Sequence, residues 1–255
     1  MGKALSQQLT EVWERLDLVM DPELDEPVTD MGFIETVSVT GSNVNIGFRL
    51  PTFWCSPNFA FLMAEGIKQQ VESLAWVGQA VVTLHDHMAA AEMNVAINAG
   101  HTFGSVFAEL HPDEDLTALR EKFDVKAFQR RQEVVIKGLI AQGYVADVIV
   151  SLTLTDLSLI RFDDPEVIRQ LRRYTTLLTS KNLGGRADDL AFPTYQGTPI
   201  EDFQTYMGLL RSVRINMEFS GSLCRGLKAS RYQTADLSGE FPILVTQTPE
   251  STLCS

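Results

Sequence analysis

The sequence has few cysteines and no long apolar run. Three cysteines among 255 residues, Cys55, Cys224 and Cys254, are too few and odd in number for a disulfide framework. No window approaches the ~18 consecutive apolar residues that a membrane-spanning helix needs, and the first residues lack the apolar segment of a signal peptide. We therefore expect a cytoplasmic protein with free thiols and no membrane partner.

Positive charge is also scarce. The chain carries 21 Lys and Arg against 33 Asp and Glu, a net charge of -12, which disfavours nucleic acid as a partner because phosphate binding needs clustered cations. The first 98 residues hold 13 of the acids and only four of the bases. This asymmetry indicates two domains.

Signatures of common enzymes are missing. The sequence contains no Gly-x-Ser-x-Gly elbow, no P-loop and no dinucleotide fingerprint. A catalytic function would have to depend on a cysteine or a metal.

The apolar periodicity predicts a small α+β domain first. A helix is expected from about Ser6 to about Val19, then a hairpin from "FIETVSVT" and "VNIGFRL", a helix after Pro57 and a strand at "AVVTL". Two helices can cover one face of such a sheet, so the order α-β-β-α-β predicts two layers. The remaining long helical periods predict a mainly α-helical domain. We place the domains at 5–98 and 99–233, followed by a C-terminal tail at 234–255.

Cys55 lies in "LPTFWCSPNFAF", directly before a predicted helix start. Ser56 is a plausible N-cap and Pro57 suits the first helical position, so the thiol should lie near free amide N–H groups that favour a thiolate. A thiolate could ligate a metal or act as a nucleophile. The alternative is a small buried hydrophobe between Trp54 and the helix.

Two further groups could assist Cys55. His85 and His87 flank Asp86 after the third strand, and in an extended chain they would share one face and could approach one cation. Surface polarity is the alternative. The acidic stretch "DPELDEPVTDMG" could supply a carboxylate or could be a solvated turn without calcium-loop spacing.

The segment around Cys224, "SGSLCRGLKASRY", is basic. Cys224 lies near Arg225, Lys228 and Arg231, which would lower its pKa if it were exposed. The same basic run could instead dock an acidic partner or the acidic first domain, and we favour docking.

Together these motifs resemble the metal-sulfur cluster assembly domain of SufT-like and PaaD-like proteins. The resemblance covers about residues 5–98 and depends on Asp-Pro-Glu, Asp-Met-Gly, a threonine and a Cys-Pro helix start: Asp21, Pro22, Glu23, Asp30, Met31, Gly32, Thr52, Cys55 and Pro57. Met31 replaces the usual leucine, and Ser56 separates Cys55 from Pro57.

The resemblance implies a non-enzymatic iron-sulfur cluster or iron assembly factor, with Cys55 as its key residue and Asp21 as an acidic companion. His85 or His87 could complete the ligand set, with Glu23, Asp30 and Thr52 in supporting positions. Such a mixed set suits transiently bound Fe(II) or Zn(II). The extra helical domain resembles long versions that accompany bacterial di-iron monooxygenases, so a monooxygenase subunit is the expected client. A metal-free oxygenase subunit, a thiol- or metal-dependent hydrolase and a homodimer are left open.

Overall fold

The computed structural model describes residues 2–107 and 116–232 and divides the chain into two compact units. The first unit combines Met1–Leu116 with the chain from Ser222 onward, and the second is Thr117–Gly221. The predicted domain boundaries at residues 98 and 233 therefore differ from this division. The predicted tail and Cys254 lie outside the described residues.

The first unit has a three-stranded sheet of β3 (Ile34–Thr40), β4 (Asn43–Arg49) and β5 (Gln79–His85), preceded by a short hairpin of β1 (Met20–Asp21) and β2 (Glu26–Pro27). Strand β4 is antiparallel to β3 and parallel to β5. The first unit also contains helices α1 (Gly2–Leu16), α2 (Pro57–Glu72), α3 (Ala90–Ala99) and α4 (Phe103–Phe107). The first helix therefore begins before Ser6 and ends before Val19, unlike the predicted bounds.

One face of the sheet forms the core. The alternation along β4 and β5 buries Val44, Ile46, Phe48, Ala80, Val82 and Leu84, as a two-layer fold requires. A crossover through α2 joins β4 to β5, since parallel neighbours cannot be linked by a tight turn. The predicted α+β class and the α-β-β-α-β order are confirmed.

The free edge of β5 is covered by two asparagines of α3. The Asn98 side-chain amide pairs with the backbone N–H and C=O of Val82, and that of Asn94 pairs with those of Leu84, at 2.7 to 3.1 Å. Side-chain amides one helical turn apart thus replace a fourth strand. This pairing fixes the end of β5, where the histidines follow.

The second unit is helical, as predicted. It is built from α5 (Leu116–Ala141), α6 (Ala146–Ser151), α7 (Leu154–Leu159), α8 (Pro165–Ser180) and the first part of α9 (Phe203–Tyr232). Asp164 caps α8 by accepting the Glu166 N–H, and Pro165 begins the helix. No helix in the described ranges is both long and apolar enough to cross a bilayer.

Candidate functional site

Cys55 lies where the sequence predicted, at the corner between β4 and α2. Ser56 is the N-cap of α2 and Pro57 its first residue. The Cys55 N–H bonds the Thr52 carbonyl at 3.4 Å, so Thr52 shapes the turn through its backbone. The thiol is partly buried against the core of the first unit.

The Cys55 thiol is not activated, contrary to the prediction from the helix start. Burial first, and then the Asp21 carboxylate and the Cys224 thiol, raise its pKa to about 12, while the Ser56 N–H opposes this shift. Desolvation and like charge therefore outweigh the amides of the helix N-terminus. The resting thiol is protonated at neutral pH.

Asp21 is the buried carboxylate of the site. Its Oδ1 accepts the N–H groups of Glu23 and Leu24 at 2.9 and 3.0 Å, which closes the hairpin turn between β1 and β2. Burial nevertheless raises its pKa to about 6, and the charges of Glu23 and Glu26 act in the same direction. Both backbone bonds use the same carboxylate oxygen, Oδ1.

His87 is buried beside Cys55 but holds its backbone. Nε2 lies 2.7 Å from the Cys55 carbonyl oxygen, and Nδ1 accepts the Ala89 N–H at 3.1 Å. These partners fix the neutral tautomer with hydrogen on Nε2, and burial lowers the pKa of His87. Both ring nitrogens are occupied, so His87 could bind a metal only after losing one of these bonds.

His85 and His87 do not share one face. Strand β5 ends at His85, and Asp86 adopts a left-handed conformation with φ 51°, which interrupts the alternation assumed from sequence. His85 instead lies over Gly47, where an added Cβ would come within 2.9 Å of its Nε2. The prediction that His85 and His87 share one face is therefore wrong.

No pattern in the sequence connects Cys224 to Cys55. Cys224 packs against the same core, and its pKa is raised by burial and by the charges of Asp21 and Glu23. The adjacent Arg225 opposes this shift without reversing it. One sequence signal could have indicated this contact, namely the basic run around Cys224 and the acidic composition of the first domain. Opposite charges of this kind favour contact between segments that are distant in sequence.

The remaining predicted residues have other surroundings. Glu23 contributes its charge to the site, whereas Asp30 is exposed in the loop before β3. Arg225 forms an ion pair with Glu26, and Arg231 forms one with Asp86. Among residues 2–107 and 116–232, no three His, Cys, Asp or Glu side chains are grouped so as to hold a metal ion.

One family model matches the segment that contains Asp21 and Cys55. Residues 9–82 fit the model described as iron-sulfur cluster assembly protein. This segment is therefore similar to iron-sulfur cluster assembly proteins. No curated protein and no solved structure matches the chain.

The matched segment does not contain the whole site. It includes Asp21, Glu23 and Cys55 but ends before His85 and His87 and far before Cys224. An exposed apolar patch borders the site, formed by Trp54 (72% exposed), Met88 (54%) and Phe53 (42%). The Met88 N–H bonds the Phe53 carbonyl at 2.8 Å, which fixes this patch to the Cys55 turn.

Proposed function

We propose that this protein binds iron or an iron-sulfur cluster transiently and delivers it to a client metalloprotein. The observation that carries the proposal is the match of residues 9–82 to an iron-sulfur cluster assembly model, because that segment contains the Cys55 turn. From the sequence resemblance, the client class that we propose is a subunit of a di-iron monooxygenase.

The electrostatics of the site support a cationic cargo. The negative groups that raise the pKa of Cys55 would also attract a cation, since the same potential that holds a proton holds a metal ion. Iron would then displace the thiol proton, so binding should release protons and strengthen as pH rises. We infer that the cargo, and not the helix N-terminus, generates the thiolate.

An incomplete donor set suits a carrier. A closed shell of four protein ligands is typical of structural metal sites, whereas transfer needs positions that a client's ligands can occupy. The described part of the chain has no grouped set of three donors. Cys55 with one or two further donors leaves such positions open.

Non-enzymatic action is also supported by His87. A thiol hydrolase needs a base that accepts the proton of the nucleophile. His87 Nε2 instead faces the Cys55 carbonyl oxygen, and its Nδ1 is taken by the Ala89 N–H. We therefore propose an accessory role and not hydrolysis.

Anaerobic Fe(II) titration tests the proposal. Wild type, Cys55→Ala and the matched control Cys254→Ala are compared by bound iron after desalting and by transfer to an apo-client. We expect binding and transfer in wild type and Cys254→Ala and loss of both in Cys55→Ala. Equal iron binding by Cys55→Ala and wild type would count against the role of Cys55.

A metal-free subunit is the second candidate, favoured by the protonated Cys55 thiol and the occupied nitrogens of His87. In that case wild type would bind neither iron nor a reconstituted cluster, yet it would form a complex with the oxygenase subunit in the presence of a chelator. Size-exclusion chromatography of the mixture, with and without chelator, separates the two functions.

A further inference from the structure

The last residues of α9 belong to the first unit and are anchored along it. Arg225 Nη1 lies 2.6 Å from Glu26 Oε2 and 3.4 Å from the sulfur of Met31. Six residues later, Arg231 Nη2 lies 2.9 Å from Asp86 Oδ2. These two contacts attach this helix end to the β1–β2 hairpin and to the loop after β5.

Further contacts lie between and beyond these two. Lys228 Nζ lies over the Phe33 ring at 5.8 Å, and the Tyr232 hydroxyl donates to Asp86 at 2.9 Å. Arg49 of β4 stacks over the Tyr232 ring at 4.8 Å. The helix end is therefore held at several points, at a defined position on the first unit.

This attachment places Cys224 beside the Cys55 site. Cys224 precedes Arg225, whose partner Glu26 is paired with Asp21 in the β1–β2 register. Cys224 and Cys55 both pack against the core of the first unit. Two free thiols from chain segments far apart in sequence thus pack on one core, and the charge of Asp21 acts on both.

We propose that Cys224 is the second sulfur ligand for the iron or cluster that Cys55 binds. This inference rests on the proposed function but adds a ligand from outside the segment that matches the family model. Two thiolates are the soft donors that iron-sulfur centres and Fe(II) accept, and they leave other coordination positions for a client.

Packing alone is the competing role for Cys224. A partly buried cysteine is a small hydrophobe in many proteins. In that role Cys224→Ala would preserve both folding and metal binding, because alanine is also small and apolar. The two roles therefore differ in metal binding and not in stability.

Co(II) titration of the full chain under anaerobic conditions separates these roles, since thiolate-to-cobalt charge-transfer absorption reports each sulfur ligand. We expect Cys224→Ala to reduce the band by about half and to weaken Co(II) affinity by roughly 100-fold or more, at or above the upper end of what outer-shell changes cost. Cys254→Ala, which also removes one thiol, should match wild type. Circular dichroism melts verify that each variant is folded.

The outcomes separate this inference from the proposed function. If Cys224→Ala binds Co(II) and Fe(II) like wild type while Cys55→Ala does not, the second ligand is refuted and the carrier function stands. If wild type binds neither ion nor a reconstituted cluster, both fail.

A metal-independent measurement uses phenylarsine oxide on the Cys254→Ala protein. One molecule condenses with two thiols, forming two As–S bonds and releasing one water. We expect mass spectrometry to identify a single adduct joining the peptides of Cys55 and Cys224. Adducts confined to one peptide would contradict the inferred thiol pair.

Discussion

Gln132 and Glu133, in α5 of the second unit, are buried as deeply as Asp21 in the first, but their partners differ. Gln132 Nε2 donates to Tyr174 Oη and to the Pro193 carbonyl at 2.9 and 2.8 Å, and its Oε1 accepts the Tyr206 hydroxyl at 2.6 Å. Arg214 Nε lies 2.9 Å from Glu133 Oε2. Each of these buried groups has a complementary partner.

Asp21 has only amide donors, and the nearby charges of Glu23 and Glu26 oppose its ionisation. A buried group with matched partners stabilises a fold, whereas a buried carboxylate among like charges lowers stability at neutral pH. Such a cost is typical of binding sites, where stability is exchanged for function.

The largest expected effect is in the second unit. Arg214→Met should lower the free energy of unfolding by about 3 kcal/mol, because Glu133 would keep its buried charge without a cation. Urea unfolding followed by far-ultraviolet circular dichroism measures the loss. The three tryptophans, Trp13, Trp54 and Trp76, all lie in the first unit. The urea transition that their fluorescence reports should therefore shift little in Arg214→Met.

The double variant Glu133→Gln/Arg214→Met is the control for the Arg214 prediction. Removing both charges should restore most of the lost stability, because no buried carboxylate remains unpaired. A loss below about 1 kcal/mol in the single variant would mean that Arg214 does not compensate Glu133.

In the first unit, removing a buried charge should raise the free energy of unfolding and not lower it. Asp21→Asn keeps an oxygen for the Glu23 and Leu24 N–H groups but cannot ionise. The folded pKa of about 6 exceeds the ordinary aspartate value of 3.8, so wild type loses stability as pH rises through this interval. At pH ~8 the variant should therefore be more stable by roughly 2 to 3 kcal/mol, and at pH ~3.5 the two should be equal.

Tryptophan-fluorescence unfolding across this pH range measures the Asp21 effect. Asp30→Asn is the matched control, since Asp30 is exposed in the neighbouring loop, and it should change stability by no more than about 0.5 kcal/mol. The proposed function adds that Asp21→Asn binds Fe(II) more weakly although it is more stable. Lower stability of Asp21→Asn at pH ~8 would show that the carboxylate is compensated after all.

The local features of this site could be read from the sequence. Pro57 predicts the start of α2 because its preset φ suits the first helical residue, whereas the Ser56 side chain makes no capping hydrogen bond. The alternation of β4 predicts its buried face because side chains in a strand have period 2. These signals lie within a few residues of the structure that they specify.

Other features depend on distant contacts. The pKa of Cys55 depends on burial and on the charges of Asp21 and Cys224, two residues that are distant from it in sequence. The separation of His85 from His87 depends on a single left-handed residue, Asp86, whose side chain bonds Arg231 and Tyr232. Local sequence patterns cannot predict how far a thiol is desolvated, nor the conformation of a residue such as Asp86 that depends on contacts with a distant segment.

His87 and His85 provide the next test. From the sequence both are equally good candidate ligands, but in the structure only His87 is buried and bonds the Cys55 turn. His87→Ala should cost about 2 kcal/mol, since the Cys55 carbonyl and the Ala89 N–H lose their buried partner. His85→Ala should cost no more than about 0.5 kcal/mol. Fluorescence-monitored urea unfolding at pH ~7.5 compares them.

The pH dependence of the His87 effect has a definite sign. Burial lowers the folded pKa of His87, so the unfolded chain binds a proton more readily and wild type loses stability as pH falls below 6.5. His87→Ala lacks this group, and the difference between the two proteins should narrow in acid. A constant difference would mean that His87 is not held neutral.

The smallest effect on stability is expected at the exposed apolar patch, where the two units can be compared directly. Trp54 is 72% exposed in the first unit and Leu159 is 73% exposed in the second. Trp54→Ala and Leu159→Ala should each change the free energy of unfolding by less than about 0.5 kcal/mol, because neither removes buried area. If the client contacts the surface beside Cys55, only Trp54→Ala should slow iron transfer, since a large exposed aromatic is the residue type that dominates protein interfaces. Equal transfer rates for the two variants, with Fe(II) affinity unchanged, would place the client contact away from the Cys55 turn.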